Sequence, residues 1–107
     1  MAMQLMTKTL ERRFAQIGRQ ENDPDPIVVA KFFNPTGAGT WWVTEYDPVD
    51  RIIFGYASVF GGPYDEWGYT SLNELESFRG VFGLGIERDL YWTEKRFSEI
   101  AELRGKS

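Results

Sequence analysis

The chain predicts an α+β fold, an antiparallel sheet of four to five strands with an N-terminal and a central helix packed against it. Three observations carry that expectation. Runs of β-branched and aromatic residues at Ile27–Phe33, Thr40–Tyr46 and Arg51–Tyr56 are separated by two clusters of turn formers, the pattern of a meander. Leu10, Phe14 and Ile17 repeat ahead of them at helical spacing. Ser71-Leu72-Asn73-Glu74 follows them and matches a capping box.

A single domain is expected over 1–107, since 107 residues bury one core without metal or disulfide support. The first helix is expected at about 7–19, capped by Thr7 and weakened by Gly18. Gln20 to Pro26 reads as a polar linker, because Asp23-Pro24 and Asp25-Pro26 force extended geometry. The sheet and central helix are expected over about 27–92. In the first strand Val28, Ala30 and Phe32 share one face, opposite Ile27, Val29, Lys31 and Phe33. Both faces are largely apolar, so the strand belongs inside the sheet.

In the second strand Trp41, Val43 and Glu45 alternate against Thr40, Trp42, Thr44 and Tyr46. Asp47-Pro48-Val49-Asp50 suits a type I turn, and Ile52, Phe54 and Tyr56 then alternate against Ile53, Gly55 and Ala57. Phe60 to Asp65 is a Gly/Pro loop, and Glu66 to Thr70 a short fourth strand. The central helix places Leu72, Leu75 and Phe78 inward and closes at Gly80. Ile86 to Trp92 reads as a fifth strand, and about 98–104 as a last helical segment carrying Ile100 and Leu103.

Cysteine and histidine are both absent. That excludes disulfides, thiolate chemistry, a Ser-His-Asp triad and the usual zinc ligands. No cofactor is expected. No apolar run approaches a membrane span, and Met1–Met6 lacks a basic leader and cleavage site, so a cytoplasmic location is the expectation. The net charge of -4 is uneven: residues 1–20 carry four cations against one carboxylate, whereas residues 21–89 carry twelve carboxylates against four cations. An acidic sheet region disfavours direct binding of nucleic acid.

Carboxylates are the remaining acid–base groups. Glu45 and Asp47 lie two apart on one strand, roughly 7 Å from each other, a spacing that suits a divalent cation or a glycosidase pair. The plainer reading is a turn residue beside a solvated edge charge. Arg12, Arg13 and Arg19 make a small anion-binding edge or, more simply, the solvated face of an amphipathic helix. Gly37-Ala38-Gly39 lies between strands and has no helix N-terminus to cradle phosphate. Gly80, Gly83 and Gly85 follow a helix and read as helix stop and turn.

Aromatic residues make up 16% of the chain, which points either to an aromatic-rich core or to a surface that spends some aromatics on binding. Trp41 and Trp42 point to opposite faces, so one of them faces solvent unless both faces are covered. Trp42, Tyr64, Trp67 and Tyr69, with Asp65 and Glu66, are the candidate partner-binding residues: aromatic anchors with an acidic rim.

Several strings carry a resemblance. They are Lys31-Phe32-Phe33-x-Pro35, Thr40-Trp41, Thr44-Glu45-Tyr46-Asp47-Pro48-x-Asp50 and Phe54-Gly55. They continue as Glu66-Trp67-Gly68-Tyr69-x-Ser71-Leu72-x-Glu74-Leu75-Glu76, Arg79-Gly80 and Gly83-Leu84-x-Ile86-Glu87-Arg88-Asp89-Leu90. Over about residues 27–92 the chain resembles a family of small bacterial proteins catalogued as a domain of unknown function. Its members are common on plasmids and integrative elements, among conjugation and anti-restriction genes. Ile52-Ile53 stands where that family more often has aromatics. The resemblance implies a mobile-element setting and no catalytic residues.

Three function classes follow. The first is a non-enzymatic adaptor or inhibitor that binds a protein partner, with anti-defence among its settings. The second is a carboxylate-dependent, metal-assisted hydrolase using Glu45 and Asp47. The third is a nucleic-acid-binding accessory protein using Arg12, Arg13 and Arg19. The absent catalytic side chains and the acidic aromatic surface favour the first.

Overall fold

A computed structural model describes residues 4–59 and 65–105. Helix α1, Lys8–Ile17, starts where Thr7 Oγ1 accepts the Leu10 N–H (3.1 Å) and ends at Gly18, whose φ of 72° releases the chain from helical geometry. Seven strands follow among the described residues: β1 (Ile27–Val28), β2 (Ala30–Phe33), β3 (Thr40–Asp47), β4 (Ile52–Ser58), β5 (Glu66–Ser71), β6 (Glu87–Arg88) and β7 (Lys95–Arg96). Helix α2, Leu72–Ser77, continues directly from β5. The main sheet is antiparallel in the order β5-β4-β3-β2-β6, and β1 pairs with β7 in a small second sheet. The protein is thus α+β, but only β2 to β5 form a meander, since β6 returns to the far edge beside β2.

The predicted first strand is divided. Val28 lies in the core with Trp42, whereas Val29, Ala30 and Phe32 all lie in the opposite core. The break lets the Val29 N–H donate to the Val43 carbonyl (2.9 Å) while Ile27 and Val28 turn away to pair with β7. Strict alternation through 27–33 therefore fails between Val29 and Ala30, which lie in the same core.

A second failure of alternation sets the layout of both layers. The β3–β4 register passes from Val43↔Gly55 to Glu45↔Phe54, leaving Thr44 as an extra residue. Tyr46 is thereby placed on the α1 side, its ring 6.1 Å from Phe14, and Glu45 on the side of Phe54. Tight passage past the bulge requires glycine at position 55, because a Cβ there would stand 2.0 Å from the Trp42 carbonyl oxygen. Gln20, read from the sequence as linker, is buried against the bulge. Its Nε2 donates to the carbonyls of Thr44 (2.9 Å) and Ile27 (2.8 Å), and its Oε1 accepts the Ile27 N–H (2.8 Å). One amide thus serves backbone groups that the bulge and strand start would leave unpaired.

On one face, Leu5, Phe14, Val29, Phe32, Val43, Ile53, Leu72, Leu75 and Ile86 form the larger core under both helices. On the other, Val28, Trp42 and Tyr56 meet Phe97, Ile100 and Leu103. The expected C-terminal helix is instead two 3₁₀ turns, Phe97–Glu99 and Ala101–Leu103, separated by an extended Ile100. Ile100 and Leu103 still face inward, as their spacing predicts. Asp25 anchors the first turn, Oδ1 accepting the Ser98 N–H (2.9 Å) and Oδ2 the Ser98 hydroxyl (2.6 Å). The expected fifth strand keeps only Glu87–Arg88 because Asp89 starts a turn, its Oδ1 accepting the Tyr91 N–H. Helix α2 stops at Ser77, so Phe78 is the cap and partly exposed, not an inward residue, and Gly80 lies beyond the helix end. No helix among the described residues is long and apolar enough to cross a membrane.

Three outcomes are expected. Gly55→Ala forces the backbone apart at the bulge and lowers stability by more than about 3 kcal/mol, read as a fall in the urea midpoint. Gln20→Leu leaves buried amide and carbonyl groups unpaired and costs about 2–4 kcal/mol in the same measurement. The Ser98 hydrogen bonds, hydroxyl first and backbone second, hold the Asp25 carboxyl below its ordinary value. A depressed folded-state pKa contributes stability at neutral pH that is lost as pH falls below about 4. An acid titration followed by tryptophan fluorescence should therefore show a shallower loss of stability in Asp25→Asn than in the wild type.

Candidate functional site

Among the described residues, the long uncovered edge of the sheet is β5. It pairs with β4 in unbroken register from Glu66↔Ala57 to Ser71↔Ile52 and ends the strand order. Alternation sends Glu66, Gly68 and Thr70 to the helix-bearing face and Trp67 and Tyr69 to the other. The opposite edge differs: β6 is two residues long, and Arg88 Nη1 beside it donates to the Gln4 and Leu5 carbonyls.

Beside β5 on the helix-bearing face lies a groove of about 810 Å³. Its floor is Trp41, Ala57 and Gly68, and Leu75, Phe78 and Ile86 form the wall. Two contacts hold that wall. Arg51, itself in left-handed backbone (φ 53°), reaches from the β3–β4 turn to Asn73 Oδ1 and Glu76 Oε1 on α2. The Glu76 carboxylate, and after it Tyr46, raises the pKa of that guanidinium above its ordinary value. The chain after α2 then packs on the β2–β3 hairpin, where a Cβ at Gly80 would come within 3.1 Å of Thr36 Oγ1. Thr36 is oriented by Asn34 Oδ1, which accepts its N–H (3.0 Å).

Exposed apolar side chains border the groove at Val59 and Phe78 and follow Phe78 along the chain. Val59, Phe78, Val81, Phe82 and Leu84 are all exposed. Phe82 is 93% exposed and holds a φ of 59°, an unfavourable backbone for a bulky residue that its own packing does not reward. Glu66 and Glu74 stand at the rim, and no lysine or arginine lines the groove. Neither carboxylate is hydrogen-bonded or ion-paired among the described residues. Among the described residues Gly68 has no neighbour within 4 Å of where its Cβ would be, so their packing does not call for glycine there.

The sequence-derived candidates separate. Trp42 is 4% exposed and belongs to the second core, so it is no surface anchor. It is buried because the C-terminal turns and Lys31 cover that face, the Lys31 ammonium standing 5.7 Å from its ring. Trp67 is half-buried, stacked on Phe54 at 6.0 Å and edge-on to Tyr56 at 5.5 Å. Tyr69 is 68% exposed, its ring 4.8 Å from Phe54. Asp65 is half-buried at the start of β5, and Glu66 is exposed but points to the face opposite Trp67. Tyr64 and Phe60 lie outside the described residues.

Residues of both alternative sites also make structural contacts. Glu45 Oε2 accepts the Gln20 N–H (2.9 Å), and Asp47 Oδ1 accepts the Val49 N–H (2.9 Å) in its turn. Among the described residues no group of three or more Asp or Glu is placed to hold a metal ion. Arg13 is held bidentately by Glu94, both bonds 2.8 Å, and Arg19 pairs with Glu21 at 3.0 Å. Arg12 stays exposed on α1. Three arginines therefore do not converge on one anion.

The sequence singles out neither Gly68 nor Phe78 as a candidate binding residue, although both line the groove. Gly68 carried a signal: an isolated glycine inside a strand pattern marks a bulge or a close approach by something else. Phe78 carried a misleading one, since its i, i+3, i+6 spacing with Leu72 and Leu75 points inward only if the helix continues.

No curated protein and no solved structure matches the chain significantly. The family model described as a protein of unknown function, DUF2958, does match, over residues 3–106, and the chain belongs to that family.

Proposed function

We propose that this protein is a non-enzymatic binding module, an adaptor or inhibitor that holds a protein partner at β5 and the groove beside it. The observation that carries the reading is the groove, with Phe78 in its wall and the exposed Val81, Phe82 and Leu84 following in the chain. An apolar groove beside exposed apolar side chains, with rim carboxylates that have no partner among the described residues, fits a macromolecular partner better than a small polar substrate. The carboxylates most suited to chemistry, Glu45 and Asp47, are engaged as backbone acceptors. A mobile-element setting, implied by the resemblance, suits a small protein that acts by occupying another.

Tyr69 and Trp67 remain part of this reading, on the other side of the same strand. They put aromatic area along β5 that is only partly used by Phe54, Tyr56 and Phe97. Aromatic anchors of this kind dominate binding energy when a partner desolvates them.

Gly68→Val tests the proposal, because it fills open space on the groove floor with a residue that favours strands. Affinity capture from a nuclease-treated bacterial lysate should retain one stoichiometric protein on the wild type. Gly68→Val should lower that capture by about ten-fold or more while the thermal midpoint holds. Tyr91→Ala, at an exposed residue outside the groove, should leave it unchanged. Capture indifferent to Gly68→Val, or abolished by nuclease, overturns the reading.

A further inference from the structure

We propose that the partner engages as an added strand: an extended segment, alternately apolar and basic, pairs with the outer edge of β5 and becomes the sixth strand of the main sheet. The inference rests on the binding-module reading and specifies its mode. Four observations support it, each from a different property of β5.

The first is the backbone. An edge strand leaves every second N–H and C=O unpaired, and natural edges are commonly blunted by proline, lysine, a bulge or brevity. Six residues, Glu-Trp-Gly-Tyr-Thr-Ser, carry none of these devices, and their pairing to β4 has no register shift. The far edge, by contrast, is only two residues long. Main-chain pairing to such an edge supplies affinity, and pockets beside it supply specificity.

The second is the aromatic face. A neighbouring strand places alternate side chains next to Trp67 and Tyr69, and Tyr69 is largely exposed there. β-branched residues opposite aromatic ones are favourable cross-strand pairs. The third is charge. On the groove face the same strand meets Glu66, with Glu74 across the groove and no cation among the lining residues. Lysine or arginine at the alternate positions satisfies both demands, laying its aliphatic stem over the apolar floor and its charge against the rim. A second copy of this chain brings the same carboxylates to the same rim, so charge favours a basic segment over self-pairing.

The fourth is Gly68. It lies at the centre of β5, opposite Gly55, and nothing in the described structure occupies the space a side chain would take. A glycine inside a strand lowers its intrinsic stability, and a common reason for one is the close approach of another chain. The notch it leaves opens onto the groove, where a stem from the added strand can descend.

The test uses the isotope-labelled full chain and a short acetylated peptide that alternates valine and lysine. Strand addition predicts saturable binding, and slowed hydrogen exchange at alternate amides of Glu66–Ser71. Glutamate in place of each lysine should weaken binding by about ten-fold or more. Two N-methylated versions, blocking the N–H groups along one peptide edge or the other, should then differ: one frame loses binding and the other keeps it. Equal affinity of the two frames, or binding with no slowed exchange in β5, overturns strand addition. A helix-forming peptide of leucine and lysine that binds while the strand peptide does not also overturns it. Slowed exchange that rises with protein concentration alone identifies a second copy as the occupant and overturns the basic-segment assignment. These failures leave intact a partner capture that Gly68→Val abolishes; only capture indifferent to that variant removes the binding-module reading itself.

Discussion

One extra residue in β3 decides which side chains each layer of this protein receives. Thr44 interrupts the alternation, and everything C-terminal to it in the strand changes face: Tyr46 joins Phe14 under α1, and Glu45 moves to the side of Phe54. The arrangement is held from three directions. Gly55 gives the bulged backbone room, the Thr44 hydroxyl donates to the Phe54 carbonyl (3.2 Å), and the Gln20 amide collects the backbone groups left over. A bulge costs paired backbone, and here a single buried glutamine restores the balance. Because Gln20 also fixes the start of β1, the same side chain orients the entry into the sheet.

The sheet then separates two covers of different construction. The helix-bearing side is a conventional aliphatic core, closed by Leu5, Phe14, Leu72 and Leu75. The other side is mostly aromatic and is closed by short 3₁₀ turns, with Trp92 Nε1 donating to the Val28 carbonyl (3.0 Å) and Lys31 lying over Trp42 and Trp92. Its attachments at the rim are exposed ion pairs: Arg13 with Glu94, Lys31 with Glu102, and Arg96 with Asp23. Such pairs contribute little individually, so Phe97, Ile100 and Leu103 carry the attachment. Among the described residues neither cover extends over the outer edge of β5, which ends the strand order.

Much of the fold was legible in the amino-acid order. Thr7 and Ser71 act as the N-caps their positions indicate, and Leu10, Phe14 and Ile17 face the core as their spacing requires. Four strands of the main sheet follow from β-branched and aromatic runs punctuated by turns. What was not legible depended on contacts distant in sequence. Nothing near Gln20 announces that its amide will meet Thr44, and nothing in Trp-Trp-Val-Thr-Glu-Tyr marks Thr44 as supernumerary. The same holds for Trp42, whose burial depends on a C-terminal segment more than fifty residues away. The candidate site was half visible: Glu66, Trp67 and Tyr69 were singled out, but as one patch. Period-two geometry puts Glu66 on one face and both aromatics on the other, so they belong to one edge and to two surfaces.

Order of assembly follows from how the aromatic cover is attached. Strands β2 to β5 are joined by short connections or hairpins, so their pairings close early at small entropic cost. The β1–β7 ribbon joins Ile27 to Arg96 and Val28 to Lys95, spanning most of the chain, and cannot form until the last segment is available. On a ribosome, the sheet therefore emerges with Trp42, Tyr56 and Trp67 still facing water, and the C-terminal turns dock onto them last. Late in synthesis the nascent protein presents an apolar face that the finished one conceals.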